Sequence, residues 1–334
     1  MKKFLVLILT VVTCLACAIG FAGCKKDSGK LKVFAPDGAP ALSLAGISQT
    51  EADKYFDVSV VDAETISAYV SGKMEADAAI MPVNAATKLL GSGENYKLLG
   101  TVTHGNLYLM KKQSGEDIST AADLEKLVGK TVGVINLANV PGLTFKVILN
   151  DNGLQFNELR DGASKAEDKI NLKSVTAPEA IPSNSDCDYF VVPEPAASTK
   201  QSVTGGKLSV CGSLQTLYGG EGGYPQAVAV AKASVIESNP EAISAFIASF
   251  QFTQSWLKEE STSAEGILSA IDKMTKGDLA HQFTAENMTK TVIANCGIRY
   301  EDNSTGKAAI KSFMQKLNAV SNNAWGTPSD GFFH

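Results

Sequence analysis

The stretch VFAPDGAPALSLAGI at residues 33–47 determines how the rest of this 334-residue chain is interpreted. A short apolar run, suited to a buried strand, stops at Pro36-Asp37-Gly38, and Pro40 then stands at an early helical position where its missing N–H costs nothing. The pattern predicts a strand that turns directly into a helix. Such a turn leaves backbone N–H groups free at the carboxyl end of a sheet, where the helix dipole favours negative or hydrogen-bond-accepting groups. Every α/β domain contains such turns, so a single one does not indicate a function. Several of them in two halves of a chain do.

Three later stretches repeat this strand-to-helix junction. They are PVN at 82–84, NVP at 139–141 and PEP at 193–195, and each of them follows a short apolar run. Asn84 is placed either to cap the following helix or to hold a ligand with its carboxamide. Asn139 and the N–H groups beside it have the same two interpretations. Glu194, at a helix start, is either a surface residue stabilised by the helix dipole or a cleft residue that accepts hydrogen bonds from an amine or amide.

Two glycine-containing stretches are typical of crossings between domains. THGN at 103–106 separates two apolar runs without room for a helix, so Gly105 supplies a bend in a strand that passes from one domain to another. GGEGG at 219–223 ends at Tyr224 and leads into another strand, which we interpret as the return crossing. His104 is either a packed residue or a ligand contact, and Tyr224 is a candidate wall of the cleft.

Strand and helix signals alternate between these landmarks. Strands are predicted at 31–35, 56–61, 78–81, 96–102, 132–135, 171–175, 189–192, 207–210 and 226–232, and helices at 63–72, 119–127, 240–258, 267–273, 286–295 and 307–320. Asn239 is predicted to cap the helix that follows it. The GKT at 129–131 is not a phosphate-binding loop, because Leu124 stands where that motif requires a glycine and the GKT enters a strand instead of leaving one.

The N-terminal residues have the layout of a secretory signal. Two lysines precede an almost unbroken apolar run, and FAGC at 21–24 places small residues directly before a cysteine. A plain signal peptide or a membrane helix is the simpler interpretation. FAGC resembles the bacterial lipobox, which implies a signal peptide at 1–23, lipidation at Cys24 and a polar tether at 24–30. The implied location is extracytoplasmic, on a protein anchored by lipid to the bacterial cell membrane.

Charge and length exclude some classes of protein. The formal net charge is −5, and removal of the two lysines of the signal makes it −7, with no basic block in the sequence. Nucleic acid is therefore not an expected partner. Removal of residues 1–23 from the 334-residue chain leaves 311 residues, which are too many for one typical core and suit two domains.

The six cysteines do not form a disulfide framework. The C-x-x-C at 14–17 lies in the signal, and Cys24 is the candidate for lipidation. The remaining three, Cys187, Cys211 and Cys296, are odd in number and have no metal-ligand spacing. Free buried thiols are the expected state, and a single bridge between Cys187 and Cys211 stays open.

A resemblance to a known family covers nearly the whole mature chain. Seven stretches together resemble the substrate-binding lipoproteins of bacterial ABC importers: VFAPDGAPALSLA, AAIMPVNAATKL, TVTHGNLYLM, GKTVGVINLANVPGLTFKVIL, DYFVVPEPAAST, GYPQAVAVAK and GTPSDGFF. The branch is the nitrate, sulfonate, taurine and thiamine-pyrimidine type of periplasmic-binding protein. The resemblance implies an α/β, two-domain type 2 periplasmic-binding-protein fold, in which two Rossmann-like lobes are joined by two crossing strands.

The resemblance also implies how the chain is divided and where a ligand binds. Lobe 1 takes residues 31–104 and 224–334, and lobe 2 takes residues 105–223. The cleft between the lobes is lined by Asp37, Gly38, Ala39, Asn84, His104, Asn106, Asn139, Val140, Glu194 and Tyr224. The implied function is the capture of a small molecule and its delivery to an ABC permease in the membrane, by a monomeric protein that needs no cofactor, no metal and no chemical step.

The identity of the ligand and two alternative functions stay open. A thiamine-pyrimidine ligand predicts aromatic stacking on a flat ring, whereas a sulfonate or nitrate predicts an arginine or several N–H donors. Arg160 and Arg299 stand in no junction, which favours a neutral or ring-like ligand. A sensor that presents its closed form to a signalling receptor is one alternative. The other is a thiamine-pyrimidine synthase-like enzyme, but that family carries a cysteine-rich iron motif which this sequence lacks.

Overall fold

A computed structural model of the chain describes residues 29–72, 76–160, 163–219 and 222–334. The predicted signal peptide, the lipidation site Cys24 and most of the tether lie outside these residues, as do two residues of the GGEGG stretch. Within the described part, strands and helices alternate as the sequence predicts. Here no helix is both long enough and apolar enough to cross a lipid bilayer.

The strands of the described residues form two mixed sheets of six strands each. They are β1 (Leu31–Pro36), β2 (Phe56–Val61), β3 (Ala78–Pro82), β4 (Tyr96–His104), β5 (Leu107–Lys112), β6 (Thr131–Ile135), β7 (Phe156–Leu159), β8 (Ile170–Val175), β9 (Tyr189–Pro193), β10 (Leu208–Ser213), β11 (Pro225–Lys232) and β12 (Ile298–Asp302). The first sheet has the order β12-β4-β11-β3-β1-β2 and the second has the order β10-β5-β9-β6-β8-β7. The chain therefore leaves the first sheet after β4 and returns to it at β11. The lobe boundaries at 104/105 and 223/224 stay a prediction.

Each sheet has a parallel body and a reversed strand next to it. β1 is parallel to β2 and β3 in the first sheet, and β6 is parallel to β8 and β9 in the second. The first strand after each crossing is reversed, since β5 is antiparallel to β9 and β11 is antiparallel to both β3 and β4. Because parallel strands share one direction, their carboxyl ends and the junctions that follow them meet at one edge of each sheet.

The helices of the described residues pack around these sheets. They are α1 (Ala39–Leu42), α2 (Ile66–Val70), α3 (Val83–Leu90), α4 (Val140–Asp151), α5 (Ala196–Val203), α6 (Leu214–Tyr218), α7 (Ala233–Ser238), α8 (Pro240–Trp256), α9 (Ala264–Met274), α10 (Lys290–Asn295) and α11 (Asn303–Ala319). The helix predicted at 119–127 is a 3₁₀ helix over Ala121–Leu127, which starts with a capping box between Thr120 and Asp123.

The hydrophobic core lies in three clusters, and one of them joins the two sheets. The joint cluster contains Met81 of β3, Val134 of β6 and Phe313 of α11, which are all fully buried. At the surface, α11 also meets α4, where Lys316 Nζ lies 2.7 Å from Asp151 Oδ2. The long C-terminal helix therefore packs against elements of both sheets and stabilises their arrangement by apolar burial.

β5 corresponds to the second apolar run beside THGN, whereas two other strands of the described residues have no counterpart in the sequence-based prediction. β7 has four residues, all of them only half-buried. β12 has the mixed sequence IRYED, in which no residue is fully buried. Neither segment has the apolar run that is typical of a buried strand, so periodicity alone does not reveal them.

One predicted helix start and one predicted helix cap are wrong. The helix predicted at 286–295 begins at Lys290, because the Thr289 hydroxyl accepts a hydrogen bond from Val292 N–H at 3.2 Å. Just before it, Asn287 Oδ1 accepts from Thr284 N–H at 2.8 Å and closes a turn instead of a helix. Asn239 precedes α8 as predicted, but its side chain does not cap that helix.

The three cysteines of the described residues are free and buried. This is the state that the sequence favours over a Cys187–Cys211 bridge. Burial raises the pKa of Cys187 to about 11 and that of Cys211 to about 12. Both thiols therefore stay protonated and unreactive near neutral pH.

Candidate functional site

The first junction brings Asp37, Gly38 and Ala39 together at the carboxyl end of β1. Gly38 has φ +91°, a left-handed conformation that favours glycine, and Ala39 starts α1. A later loop holds the buried Asp37 carboxylate. Its Oδ2 accepts a hydrogen bond from Gln282 N–H at 2.8 Å, and its Oδ1 lies 3.3 Å from His281 Nδ1.

The second junction carries Asn84, the second residue of α3. Pro82 is the N-cap residue of this helix and no side chain caps it, so Asn84 does not have the capping role that the sequence also allows. Asn84 has only 1% exposure, and neither Oδ1 nor Nδ2 has a hydrogen-bond partner among the described residues. Buried polar side chains are nearly always hydrogen-bonded. The hydrogen-bonding capacity of this carboxamide is therefore unusual in being left unsatisfied by the described residues.

The first two junctions are neighbours on the edge of the first sheet. β1 pairs with β3 so that Phe34 lies opposite Ala79. Three residues further along both strands, the same register sets Asp37 level with Pro82. Because paired strands lie about 4.8 Å apart, the Asp37 turn and the first turn of α3 occupy one short stretch of this edge.

The crossing after β4 carries His104 and Asn106, with Gly105 between them at φ +67°. The imidazole of His104 is buried, and its Nε2 lies 2.9 Å from Glu301 Oε2 of β12. Burial lowers the pKa of His104, and the hydrogen bond to Glu301 opposes that shift. Asn106 pairs reciprocally with Gln226 of the return crossing, since Asn106 N–H donates to Gln226 Oε1 at 3.0 Å and Gln226 Nε2 donates to Asn106 Oδ1. The two crossings are thus tied to each other.

The junction after β9 carries Glu194, which has 1% exposure. Its Oε1 accepts hydrogen bonds from Ser198 Oγ at 2.7 Å and from Asn295 Nδ2 at 3.2 Å, and its Oε2 accepts one from Ser198 N–H at 3.1 Å. Glu194 N–H also donates to Asn106 O at 2.9 Å. Since Asn295 ends α10, next to the first sheet, the Glu194 carboxylate makes a contact between the two lobes.

Two buried groups lie in the field of the Glu194 carboxylate. Burial raises the pKa of the Tyr108 hydroxyl, and the negative charge of Glu194 adds to the rise. Burial also raises the pKa of the Cys296 thiol well above its ordinary value, and the negative charge of Glu194 raises it further. Both groups therefore stay neutral near pH 7, next to the Glu194 carboxylate.

Asn139, Val140 and Tyr224 are placed differently from the other candidates. Asn139 is the N-cap residue of α4, but it is exposed and its side chain caps nothing. Val140 is buried at the start of that helix. Tyr224 is wholly buried, its ring stacks on Phe313 with centroids 5.4 Å apart, and its hydroxyl donates to Gln215 Oε1 at 3.3 Å. In this arrangement Tyr224 is a core residue beside the return crossing.

The segment between α9 and α10 supplies residues that the sequence analysis did not identify. His281 and Gln282 hold Asp37, as described above. Asn287 Nδ2 donates to Gln282 O at 2.8 Å and to Thr199 Oγ1 of α5 at 2.9 Å. This segment therefore reaches from the first junction to a helix of the second sheet. Its polar residues follow no helical or strand period, so they give no signal in a single sequence.

The groups assembled at these edges suit hydrogen bonding to a polar molecule. They comprise two buried carboxylates, an unpaired carboxamide and a histidine whose pKa is lowered. Within the described residues, no group of three or more histidine, cysteine, aspartate or glutamate side chains is arranged to hold a metal ion. The carboxylates, the carboxamide and the imidazole can orient a guest through donated and accepted hydrogen bonds.

Two mixed six-stranded sheets, packed with helices and joined by two crossings, define a two-lobed α/β fold. Several solved structures with this fold resemble the chain. An ABC transporter protein from Parabacteroides distasonis has a TM-score of 0.67 and 18% identity, with 91% of this chain and 98% of that chain covered. The periplasmic aliphatic sulphonate binding protein SsuA from Escherichia coli has a TM-score of 0.60 and 15% identity, with 88% of this chain and 87% of that chain covered. The zinc-bound ligand-binding component of an ABC-type import system from Staphylococcus aureus has a TM-score of 0.58 and 13% identity, with 91% and 96% covered.

These comparisons confirm the predicted fold. At such identities the likeness establishes a shared architecture, which is the two-lobed type 2 periplasmic-binding-protein fold expected from the sequence. One of these neighbours is described as an ABC transporter, one as a periplasmic binding protein and one as the ligand-binding component of an ABC-type import system, in agreement with the resemblance. The sequence matches no protein-family model and no curated protein.

Proposed function

We propose that this protein is an extracytoplasmic solute-binding lipoprotein that captures a small molecule between its lobes and delivers it to an ABC permease. The fold supports this function, because two lobes that close on a guest can remove it from solvent and display the closed form to a partner. The structural neighbours, which include a sulphonate-binding protein, support the same class of function.

The observation that carries the proposal is the unpaired carboxamide of Asn84. A buried donor or acceptor without a partner destabilises a protein by about 1–3 kcal/mol. A ligand that supplies both partners recovers this energy on binding. Asn84 follows a parallel strand at the carboxyl edge of its sheet, and this edge is where open α/β sheets bind their ligands.

Closure would be favoured by contacts that require the two lobes to be together. Asn295 donates to Glu194, and Asn287 donates to Thr199, in each case from one lobe to the other. A ligand that touches both lobes adds its own contacts to these and shifts the population further toward the closed state. Capture and release need no covalent step in this scheme.

The N-terminal residues would hold the binding unit at the membrane. Removal of residues 1–23 and lipidation of Cys24 would leave a short polar tether, and two acyl signals suffice for stable anchoring where one does not. Mass spectrometry of the membrane fraction should find acyl chains on Cys24. The Cys24→Ser variant should move to the soluble fraction, and a membrane-bound chain with an unmodified Cys24 would contradict the anchor.

A thermal-shift screen of the full chain in detergent tests the binding function. The screen takes thiamine precursors, flavins, sulfonates, nitrate and amino acids, and a binder present at 100 times its Kd should stabilise the protein by about 2.7 kcal/mol. Asn84→Leu should lose that shift. Asn150→Leu, the same change at an exposed position of α4, should keep it. A screen without a binder, or a shift that Asn84→Leu leaves intact, would refute the proposal.

A further inference from the structure

The polar groups at the first two junctions restrict the chemical class of the ligand, and this inference rests on the proposed binding function. Asn84 lies in the first turn of α3, and helical side chains lean toward the N-terminus of their helix. Its carboxamide is therefore directed back toward the carboxyl end of β3. Both of its polar atoms are buried there, and no described residue offers either of them a hydrogen bond.

An asparagine side chain presents an acceptor and a donor side by side in one plane. A ligand that satisfies both atoms must carry a donor for Oδ1, an N–H or an O–H group, and next to it an acceptor for Nδ2. The N–H and C=O of a lactam or a pyrimidinone ring form such a pair in one plane, which matches the planar carboxamide, and we call this pair the amide-type edge. A sulfonate or nitrate has acceptors alone, so it would satisfy Nδ2 and leave Oδ1 buried and unpaired.

The charges around the junctions also disfavour an anion. Asp37 and Glu194 are both buried carboxylates. Their hydrogen-bond partners are N–H and O–H groups and the ring of His281, and no lysine or arginine of the described residues forms an ion pair with either of them. An oxyanion bound beside either carboxylate would be repelled by its negative charge.

A second carboxamide covers the first junction. Gln282 is exposed, and its side chain lies against Gly38, where an added Cβ would stand 3.2 Å from Oε1 and 3.3 Å from Nε2. The missing side chain at Gly38 thus gives the carboxamide room to approach the backbone of the turn. Uncharged groups that both donate and accept therefore stand at both junctions.

We propose that the cleft takes an uncharged ligand with a planar amide-type edge, which pairs with the Asn84 carboxamide through one donated and one accepted hydrogen bond. A site built to hydrogen-bond a ligand group rejects analogues that lack the group by as much as 10⁴-fold or more, because its own polar atoms are then left unpaired. Loss of one of the two bonds should therefore weaken binding at least about 100-fold.

Calorimetric titration of the full chain in detergent tests this class with matched probes. Uracil and 2-piperidone carry the edge, their N-methylated analogues 1,3-dimethyluracil and 1-methyl-2-piperidone lack the donor, and methanesulfonate, ethanesulfonate and nitrate represent the oxyanions. At least one probe with the edge should bind, and its methylated analogue should bind at least about 100-fold more weakly. In Asn84→Leu the two members of the pair should bind within a few-fold of each other, whereas Asn150→Leu should discriminate between them as the unchanged protein does.

The possible outcomes separate this inference from the proposed function. Discrimination that persists in folded Asn84→Leu, as judged by its thermal unfolding, overturns the pairing. Binding of an oxyanion or another solute without binding of a probe that carries the edge overturns the ligand class and leaves the binding function standing. If neither these probes nor any solute of the thermal-shift screen binds, the binding function itself fails.

Discussion

The junctions after β3 and β9 lie at corresponding places on the two sheets, but their polar side chains differ in hydrogen bonding. Neither end of the Asn84 carboxamide has a hydrogen-bond partner in the part of the chain that the structure describes. Glu194 receives three hydrogen bonds, one of them from Asn295 across the lobes. We call the junction after β9 the complete junction, because the protein itself supplies hydrogen bonds to its carboxylate. We call the junction after β3 the incomplete junction, because the described residues supply none to its carboxamide. We interpret the complete junction as a contact for lobe closure and the incomplete one as a contact for the ligand.

The largest effect on stability should follow from a change at the complete junction. Glu194→Ala leaves the Ser198 N–H and hydroxyl and the Asn295 amide without an acceptor. We expect it to lower the free energy of unfolding by roughly 3 kcal/mol, as measured by urea denaturation. Glu194→Gln keeps an acceptor and nearly the same volume, so it should lose less than half of that amount. A loss below about 1 kcal/mol for Glu194→Ala would show that the junction is not held by these bonds.

The crossing differs from both junctions, because its buried polar side chain, His104, can titrate and is paired at Nε2 with Glu301. Burial holds the pKa of His104 below its ordinary value, against the effect of Glu301. Below a pH of about 6.5 the unfolded chain therefore takes up a proton that the folded chain does not. Stability should fall as the pH decreases through this range, by at most about 1.4 kcal/mol per pH unit from this group.

Urea denaturation between pH 5 and pH 8, with His104→Gln as the comparison, measures this contribution. The variant does not titrate, so its stability should depend less on pH below pH 6.5 and equally on pH above 7. Parallel curves for the two proteins would mean that His104 binds its proton equally well in the folded and unfolded chains.

The incomplete junction should respond with the opposite sign. Asn84→Leu removes a buried amide that has no partner and adds apolar volume. In the absence of ligand it should therefore raise the free energy of unfolding by about 1 kcal/mol, measured by the same urea titration. Asn150→Leu, at an exposed position, should change it by less than 0.5 kcal/mol or so. A clear destabilisation by Asn84→Leu would mean that the carboxamide has a partner in the free protein.

The fold was predictable because its signals are local. Each junction shows an apolar run, a proline and a helix start within a few residues, and the bend at Gly105 stands between two apolar runs. The roles of the junction residues depend on detail that is not local. Asn84 lies inside its helix because the helix begins directly after Pro82, and a boundary placed two residues later would have made it a cap.

The contacts between the lobes could not be predicted for a related reason. Glu194 meets Asn295 and Thr199 meets Asn287 across long separations in the sequence. No local sequence pattern around any of these four residues predicts which residue it contacts. The segment around His281 has no hydrophobic periodicity of a helix or a strand. Its hydrogen bonds to Asp37 therefore cannot be predicted from the sequence and are seen only in the structure.

The smallest effect should come from the ion pair that joins the lobes at the surface. Lys316 of α11 and Asp151 of α4 are both partly exposed, so solvent and salt screen their attraction, and the ammonium also lies 4.9 Å from the centre of the Tyr218 ring. Asp151→Asn removes the pair and keeps the ring contact, so it should lower the free energy of unfolding by about 0.5 kcal/mol at low salt. In 1 M salt the difference should vanish, because the Debye length falls to about 3 Å. A loss as large as that of Glu194→Ala would place the main contact between the lobes at this surface pair instead of the buried junction.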